Sequence, residues 1–513
     1  MDIGTLPTRN ARHYPDREAL LFEGTRYSWR DLNSRINRTA NALRGSGVTK
    51  GDKVALFLPN SLELVELYWA IAKVGAVAVP LSPLLRGAGL ASLVRDSDAV
   101  ALVTCRDLAG EIERIRGDLT VIGAGRLIVT DDPGRAGFVD YAAWVGAASD
   151  AEPPLSGVTA ADPYNIMYSS GTTGEPKGIV HSHEIRAHYP LVFDGPFRID
   201  GRAVVLQSGS LVFNGSMLMF LPWMYNAARM VLFRKFDPAV CLEAIVAERI
   251  THGMMVPSQL VAMMALPDFT AERLGSLVTL LAVGAPLLLE HKERLNRIKP
   301  GVWCELYGLT EGGAATVLER DDFLRKPASV GTPMPFCRMK VVDDDGRELP
   351  PRGIGEILGI GPLLMKGYYK RPDLTGQAIR DGWLHTGDMG YFDEDGFLYL
   401  VDRKKDMIIS GGVNVYPKDI EEIVAQHPAV REAAVFGVPD PKWGEVVHCA
   451  VLLKPAAAAA PEELVAWVNE RVSAKYQRLH GVSIREDFPR NAAGKTLKRE
   501  MRAPFWADRA TAI

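Results

Sequence analysis

Apolar positions along the first hundred residues follow two alternating rhythms. Leu32, Ile36, Ala40 and Leu43 recur at helical spacing behind Ser28, which can cap a helix with Asp31 three residues on. Gly45 and Gly47 predict where that helix ends. The run Lys53 to Leu58 (KVALFL) suits a buried strand, and Pro59-Asn60 a turn. A second helix is predicted through Tyr68 and Ala72, then a strand near Val77 to Leu81. Helix and strand alternating in this way predict an α/β fold with parallel sheets and helices on their faces. The rhythm loosens over residues 131–154, where Asp, Pro, Gly and Ala read as a surface excursion. Near the C-terminus PAAAAAP (455–461) reads as an exposed connection before an amphipathic helix. The later PRNAAGKTLKRE places Lys495 in a loop between Gly494 and Thr496.

One stretch obeys neither rhythm. Residues 168–178 read YSSGTTGEPKG, with hydroxyls at Ser169, Ser170, Thr172 and Thr173, glycines at 171, 174 and 178, and Lys177. Nothing in it can fill a core. Small residues let backbone N–H groups approach phosphate oxygens, hydroxyls donate further bonds, and the lysine adds a point charge. The spacing is not that of a Walker loop. A Ser/Thr/Gly linker is the plain alternative, against which stand Pro176 and the apolar flanks NIMY and IV. His181, His183 and Glu184 follow; without a third ligand in sight they read as polar residues opening a helix, ahead of a zinc site.

Residues 207–236 are rich in Met and aromatics, among them Phe213, Met217, Met219, Phe220, Trp223 and Met224. This pattern serves a plain core or an adaptable apolar pocket equally well, and so does Met254-Met255-Val256. Two apolar runs end in glycine-bearing turns, LLAVGAP (280–286) and ELYGLTEGG (305–313). The carboxyl ends of parallel strands are where ligands bind. There Tyr307 offers a ring, Thr310 a hydroxyl and Glu311 a carboxylate for a hard cation. HTGDMG (385–390) and DRKKDMIISGGVNVYP (402–417) concentrate charge and glycine, and Asp388 suits ribose hydroxyls.

Composition narrows the class. A net charge of −3 over 513 residues disfavours nucleic acid as the main partner. Five scattered cysteines, never as C-x-x-C, read as reduced thiols in a cytoplasmic protein without structural zinc. No apolar stretch reaches the length of a transmembrane span, and the polar N-terminus lacks a signal-peptide core.

Six segments in order, YSSGTTGEPKG, VGAP, YGLTE, HTGD, DRKKDMIISGG and PRNAAGK, resemble the adenylate-forming superfamily of acyl-CoA synthetases, adenylation domains and beetle luciferases. The resemblance spans the whole chain and is nearest to the fatty-acid and aryl acyl-CoA ligases. It implies a large N-terminal domain (1–401) of βα subdomains with parallel sheets and a smaller β-barrel-like part. A hinge at 402–405, with Lys405 at its centre, would join it to a small α+β domain (406–513). It also implies two half-reactions, acyl-adenylate formation from Mg-ATP and then transfer to coenzyme A.

Carried over by position, Ser169, Ser170, Gly171, Thr172, Thr173, Gly174 and Lys177 would hold phosphates. Gly284, Ala285 and Pro286 would line the adenine, with Glu305, Tyr307, Gly308 and Leu309 completing the nucleotide site. Thr310 would meet the α-phosphate and Glu311 the Mg2+. Asp388 and Arg403 would hold the ribose. Lys495 would bridge the acyl oxygen and the α-phosphate as charge develops. Gly411, Gly412 and Asn414 would line the tunnel for CoA. Phe213 stands where many relatives carry a histidine. Lys418-Asp419 replaces a usual glutamate on the helix after NVYP.

Phe213, Met217, Val256 and Gly308 would form the acyl pocket. Glycine at 308 leaves open a space that tryptophan closes in acetate-specific relatives. No arginine lies near Met255 to Gln259, which disfavours a dicarboxylate. The resemblance therefore implies an ATP-dependent acyl-CoA synthetase acting on a hydrophobic monocarboxylic acid, a medium- or long-chain fatty acid or an aromatic one. Its partners would be that small-molecule acid, ATP and CoA, and a homodimer is compatible with the reading. The alternatives are an adenylating enzyme that loads a carrier-protein thiol and a non-catalytic nucleotide-binding relative.

Overall fold

A computed structural model describes residues 1–123, 125–169, 177–285, 287–403, 406–410, 413–472, 474–490 and 496–507. The chain divides into two compact units, Met1–Arg338 with Gly359–Leu384, and Met339–Leu358 with His385–Ile513.

The first unit is built on two sheets with helices against them. In the eight-stranded sheet, Lys53–Phe57 pairs in parallel with Val77–Pro80 on one side and Ala99–Thr104 on the other. The predicted first helix runs Trp29–Gly45. Ser28 and Asp31 form a reciprocal capping box, and Leu32, Ile36, Ala40 and Leu43 are fully buried. The second helix, Leu62–Val74, stops at Gly75, whose φ of 76° caps it in the left-handed region. The nine-stranded sheet holds the parallel run Val204–Gln207, His252–Met255, Thr279–Val283 and Trp303–Gly308.

Two readings change. Residues 131–154 are not a loose excursion: they contain the strand Val139–Asp140 and the helix Tyr141–Gly146. Asn37 and Asn41 donate to the carbonyls of Ser149, Asp150 and Ala151 and so tie the segment to the first helix. Buried Lys73 reaches it as well, donating to Glu152 at 2.6 Å and to Thr8, Asn33 and Asn37. Polar side chains do here what apolar periodicity does elsewhere, so the hydrophobic pattern carried no trace of it. The ambiguous Met/aromatic stretch is mostly core. Met217, Met219, Phe220, Trp223 and Met224 have no exposed surface, and Trp223 stacks on Trp29 at 5.3 Å.

The second unit includes parts of a five-stranded sheet to which Trp383–Phe392 and Leu398–Arg403 belong. The described strands of that sheet run Arg338–Val342, Gly355–Ile360, Trp383–Phe392 and Ile379–Arg380 in order, with Leu398–Arg403 also paired to Trp383–Phe392. Beyond it, Val430–Asp440 and Gly444–Leu453 pair antiparallel, and Leu479–Arg485 adds in parallel. Helices Pro417–Ala425 and Pro461–Asn469 pack Ile420, Val424, Leu464 and Val468 onto this α+β layer. Compactness thus groups 339–358 and 385–401 with the C-terminal stretch. The expected hinge at 402–405 concerns motion, and Lys405 lies outside the described residues.

One buried acid makes stability depend on pH. Asp194, on helix His183–Phe197, accepts from Asn226 at 2.6 Å through Oδ2, while its buried Oδ1 has no hydrogen-bond partner among the described residues. Burial pushes its pKa up to about 7. A folded pKa above the unfolded value of about 3.9 gives stability that is complete below that value. That contribution is lost as pH rises through about 7. Asp194→Asn is expected to leave Tm unchanged at pH 4 and to raise it by about 1–3 °C at pH 8. Superimposable Tm-against-pH curves for the two proteins would refute this.

Candidate active site

The three parallel strands His252–Met255, Thr279–Val283 and Trp303–Gly308 lie in register, Met255 opposite Ala282 and Val283 opposite Leu306. Their carboxyl ends therefore share one edge of the sheet. Half-buried Val256, exposed Gly284 and Ala285, and Gly308 with Leu309, Thr310 and Glu311 all emerge there. A Cβ on Gly215 would meet the side chains of Met254 and Val283, which brings the turn after Phe213 to the same edge. Phe213 is half-buried there, while Met217 is enclosed in the core.

Glu305 is not an outward-facing ligand. It is 2% exposed, accepts from the Leu287 N–H at 3.0 Å and is ion-paired with buried Lys292. Lys292 also donates to the carbonyls of Pro327 and Ser329. The pair therefore fastens the turn that carries Gly284 and Ala285 from beneath. Tyr307 is nearly buried on the same strand.

Thr310 and Glu311 are each held by a group from elsewhere in the chain. His181 Nε2 lies 2.8 Å from the Thr310 carbonyl, and His181 Nδ1 lies 3.2 Å from an Arg186 nitrogen. A guanidinium can only donate and a carbonyl can only accept, so Nδ1 carries the lone pair and Nε2 the proton. Burial, with Arg186 adding to it, pushes the imidazole pKa well below its usual range. The ring thus stays a neutral relay. His181 belongs to the strand Lys177–Ser182, and the helix begins only at His183, capped by Ser182. His183 packs edge-on against Tyr164.

Glu311 Oε1 accepts from the Tyr368 hydroxyl at 2.9 Å, and its backbone carbonyl from Met365 N–H at 2.8 Å. The turn after it requires glycine. Gly312 has φ +68°, and a Cβ there would lie 1.9 Å from the Leu363 carbonyl oxygen. Tyr368 sits opposite Ile179 in a short antiparallel pairing with Lys177–Ser182, and the Lys177 ammonium lies 4.9 Å from its ring centroid.

Ser169 and Lys177 face each other across the hairpin of Pro163–Ser169 with Lys177–Ser182. Ser170, Gly171, Thr172, Thr173, Gly174, Pro286, Gly411, Gly412 and Lys495 lie outside the described residues. In the second unit, Asp388 is nearly buried and sits opposite Arg403 in the pairing of Trp383–Phe392 with Leu398–Arg403. Lys418 and Asp419 occupy the first turn of helix Pro417–Ala425, as expected.

Arg186, His181 and Tyr368 escaped the sequence reading of the site. Arg186 is fully buried, with donors on Asn165 and Asn214 at 2.8 Å and no carboxylate partner among the described residues. An arginine buried in this way is a functional signal only once its burial is known.

Among the described residues no group of three His, Cys, Asp or Glu could cage a metal. A single oriented carboxylate such as Glu311 nevertheless fits Mg2+, which keeps several waters and binds through one or two carboxylates plus phosphates. The five cysteines are unpaired. No described helix is long and apolar enough to cross a membrane.

Residues 7–369 match the sequence profile of the AMP-binding enzymes, and residues 419–495 that of the AMP-binding enzyme C-terminal domain. The chain belongs to the AMP-binding enzyme family. It is 35% identical over 509 residues to feruloyl-CoA synthase from Amycolatopsis sp, covering 98% of this chain and 99% of that protein. It is 32% identical over 519 residues to the fatty acid–[acyl-carrier-protein] ligase ScoC of Streptomyces coeruleorubidus, covering 98% and 96%. The solved structure of the anthranilate CoA ligase AuaEII in complex with anthranoyl-AMP superposes with a TM-score of 0.90 at 26% identity, over 100% of this chain and 98% of that one.

Proposed function

We propose that the chain is an AMP-forming acyl-CoA synthetase for a hydrophobic monocarboxylic acid, fatty or aromatic. The observation that carries this reading is the grouping of Lys177, Thr310 and Glu311 around the His181 and Tyr368 mounts, in a chain that matches the AMP-binding profile over residues 7–369. In the first half-reaction the substrate carboxylate attacks the α-phosphorus of ATP. The bond to the β-phosphate breaks and pyrophosphate leaves. In the second, the thiolate of coenzyme A attacks the acyl carbon and AMP leaves.

Thr172, Thr173 and Lys177 hold the departing phosphates in this reading. Thr310, with its carbonyl fixed by His181, presents its hydroxyl to the α-phosphate. Glu311 would hold Mg2+, which when bound screens the negative charge of the phosphates. Tyr307 and the Gly284–Ala285 turn receive the adenine; Asp388 and Arg403 hold the ribose. Lys495 supplies charge to the adenylation transition state, and Lys405 marks the hinge between residues 1–401 and 406–513. Gly411, Gly412 and Asn414 line the CoA path.

The acyl end favours an aromatic acid bearing a hydrogen-bond acceptor. Arg186 and Tyr189 both donate to Asn214 Oδ1, at 2.8 and 3.1 Å. That fixes the amide flip and leaves the Nδ2 donors, which have no hydrogen-bond partner among the described residues, for a ligand beside Phe213. A polar donor so placed gains most from a substrate oxygen. A carboxylate panel scored by CoA-dependent AMP release tests this. A ring-oxygenated phenylpropenoate should be turned over best, octanoate next, and acetate and malonate least. Preference for acetate or malonate would refute the pocket assignment. Turnover with a phosphopantetheinyl carrier protein but not with CoA would transfer the protein to the carrier-loading class.

A further inference from the structure

Lys177 and Glu311 carry opposite charges, yet they do not meet. Each instead engages a different part of one neutral side chain: the ammonium lies over the ring of Tyr368, and the carboxylate accepts a hydrogen bond from its hydroxyl. No ion pair of either group occurs among the described residues. A tyrosine can serve both at once because the ring face is the negative end of its quadrupole while the hydroxyl is a donor in the ring plane.

The mount is rigid. Tyr368 is 8% exposed and packs with Ile179 and Met365. Its N–H donates to Thr375 Oγ1 at 2.9 Å. On one side of it, Met365 N–H holds the Glu311 carbonyl; on the other, Tyr369 N–H holds the Gly178 carbonyl at 2.7 Å. Residues 365–369 therefore join the segment that starts at Lys177 to the turn that carries Glu311. Burial and the neighbouring Glu311 carboxylate push the phenol pKa well above its usual value, so the hydroxyl remains a donor across the physiological range.

We propose that Tyr368 is a positioning residue for metal-bound nucleotide: it keeps Lys177 and Glu311 from neutralising one another, so that both charges are available when ATP and Mg2+ arrive. This rests on the assignment of Lys177 to phosphate and Glu311 to Mg2+. An ammonium on a ring face gives up less on leaving it than one in an ion pair, and a carboxylate held through one oxygen keeps the other open.

Isothermal calorimetry of the full-length protein tests this, with ATP alone in chelator and with ATP plus Mg2+. Tyr368→Phe keeps the ring and loses the hydroxyl. It should bind ATP alone within about twofold of wild type and weaken the Mg2+-dependent enhancement by about three- to tenfold. Tyr368→Leu loses both functions and should weaken ATP binding in both conditions by about three- to tenfold. In a Glu311→Gln background, Tyr368→Phe should have no further effect. The role is overturned if Phe and Leu lose equally in both conditions, if both bind as wild type does, or if the Phe effect persists without Glu311. Should the Leu variant fail to fold, the Phe and Glu311→Gln cycle decides alone. Failure of the wild-type protein to bind ATP in either condition would instead remove the nucleotide-site assignment, and the role of Tyr368 with it.

Discussion

Replacing Lys495 by alanine is expected to slow acyl-adenylate formation by ~10²-fold or more, the scale of losing one group that stabilises charge in the transition state. Thioester formation from preformed acyl-adenylate and CoA should continue at the wild-type rate. The asymmetry follows from where charge develops. In the first step negative charge gathers on the acyl oxygen and α-phosphate, where a long cationic side chain acts. In the second, a thiolate attacks a carbonyl already activated by its AMP leaving group. Single-turnover measurement of each half-reaction separates the two. Equal losses in both halves would show that Lys495 serves folding or general binding instead of adenylation.

Gly308→Trp is expected to cut kcat/KM for octanoate and for phenylpropenoates by ~10²-fold or more while sparing acetate, the range over which apolar pockets discriminate by size. The backbone can take the side chain. A Cβ at 308 would meet Leu306 Cδ2 at 3.4 Å, the Ala314 carbonyl at 3.5 Å and Ala315 Cβ at 3.8 Å, all ordinary contacts. Gly308 ends the strand Trp303–Gly308 at an exposed position, so the indole would occupy space beside the strand and leave the sheet intact. Matched thermal stability and adenylation of acetate are the controls. An unchanged ratio of octanoate to acetate turnover would place the acyl pocket elsewhere.

These two changes probe opposite kinds of information. The role of Lys495 comes from the resemblance of six ordered motifs to a known family, and it needs no structure to be proposed. The accessibility of Gly308 depends on which strand precedes it and which neighbours surround it. The sequence pattern found the first helix, its capping box and its buried stripe, because capping and amphipathic periodicity are local in the chain. It missed the ordered segment at 139–152, because Lys73, Asn37 and Asn41 hold that segment through side-chain hydrogen bonds that leave no periodic signature. Glu305, expected at the nucleotide site, has its side chain anchored in the core, a detail the sequence does not carry because only three dimensions set Lys292 beneath it.

The sequence by itself determined the α/β class and the order of the motifs, because hydrophobic periodicity and contiguous glycine–hydroxyl–lysine stretches are properties of neighbouring residues; the reaction followed from the resemblance of those motifs to the adenylate-forming superfamily. The tertiary structure alone decided how the reactive groups are held. His181 beneath Thr310, Arg186 behind both His181 and Asn214, and Tyr368 between Lys177 and Glu311 join residues between 5 and 191 positions apart, as read from the chain numbering. Apart from the short step from His181 to Arg186, these pairings follow from strand register and core packing, and no local pattern encodes them.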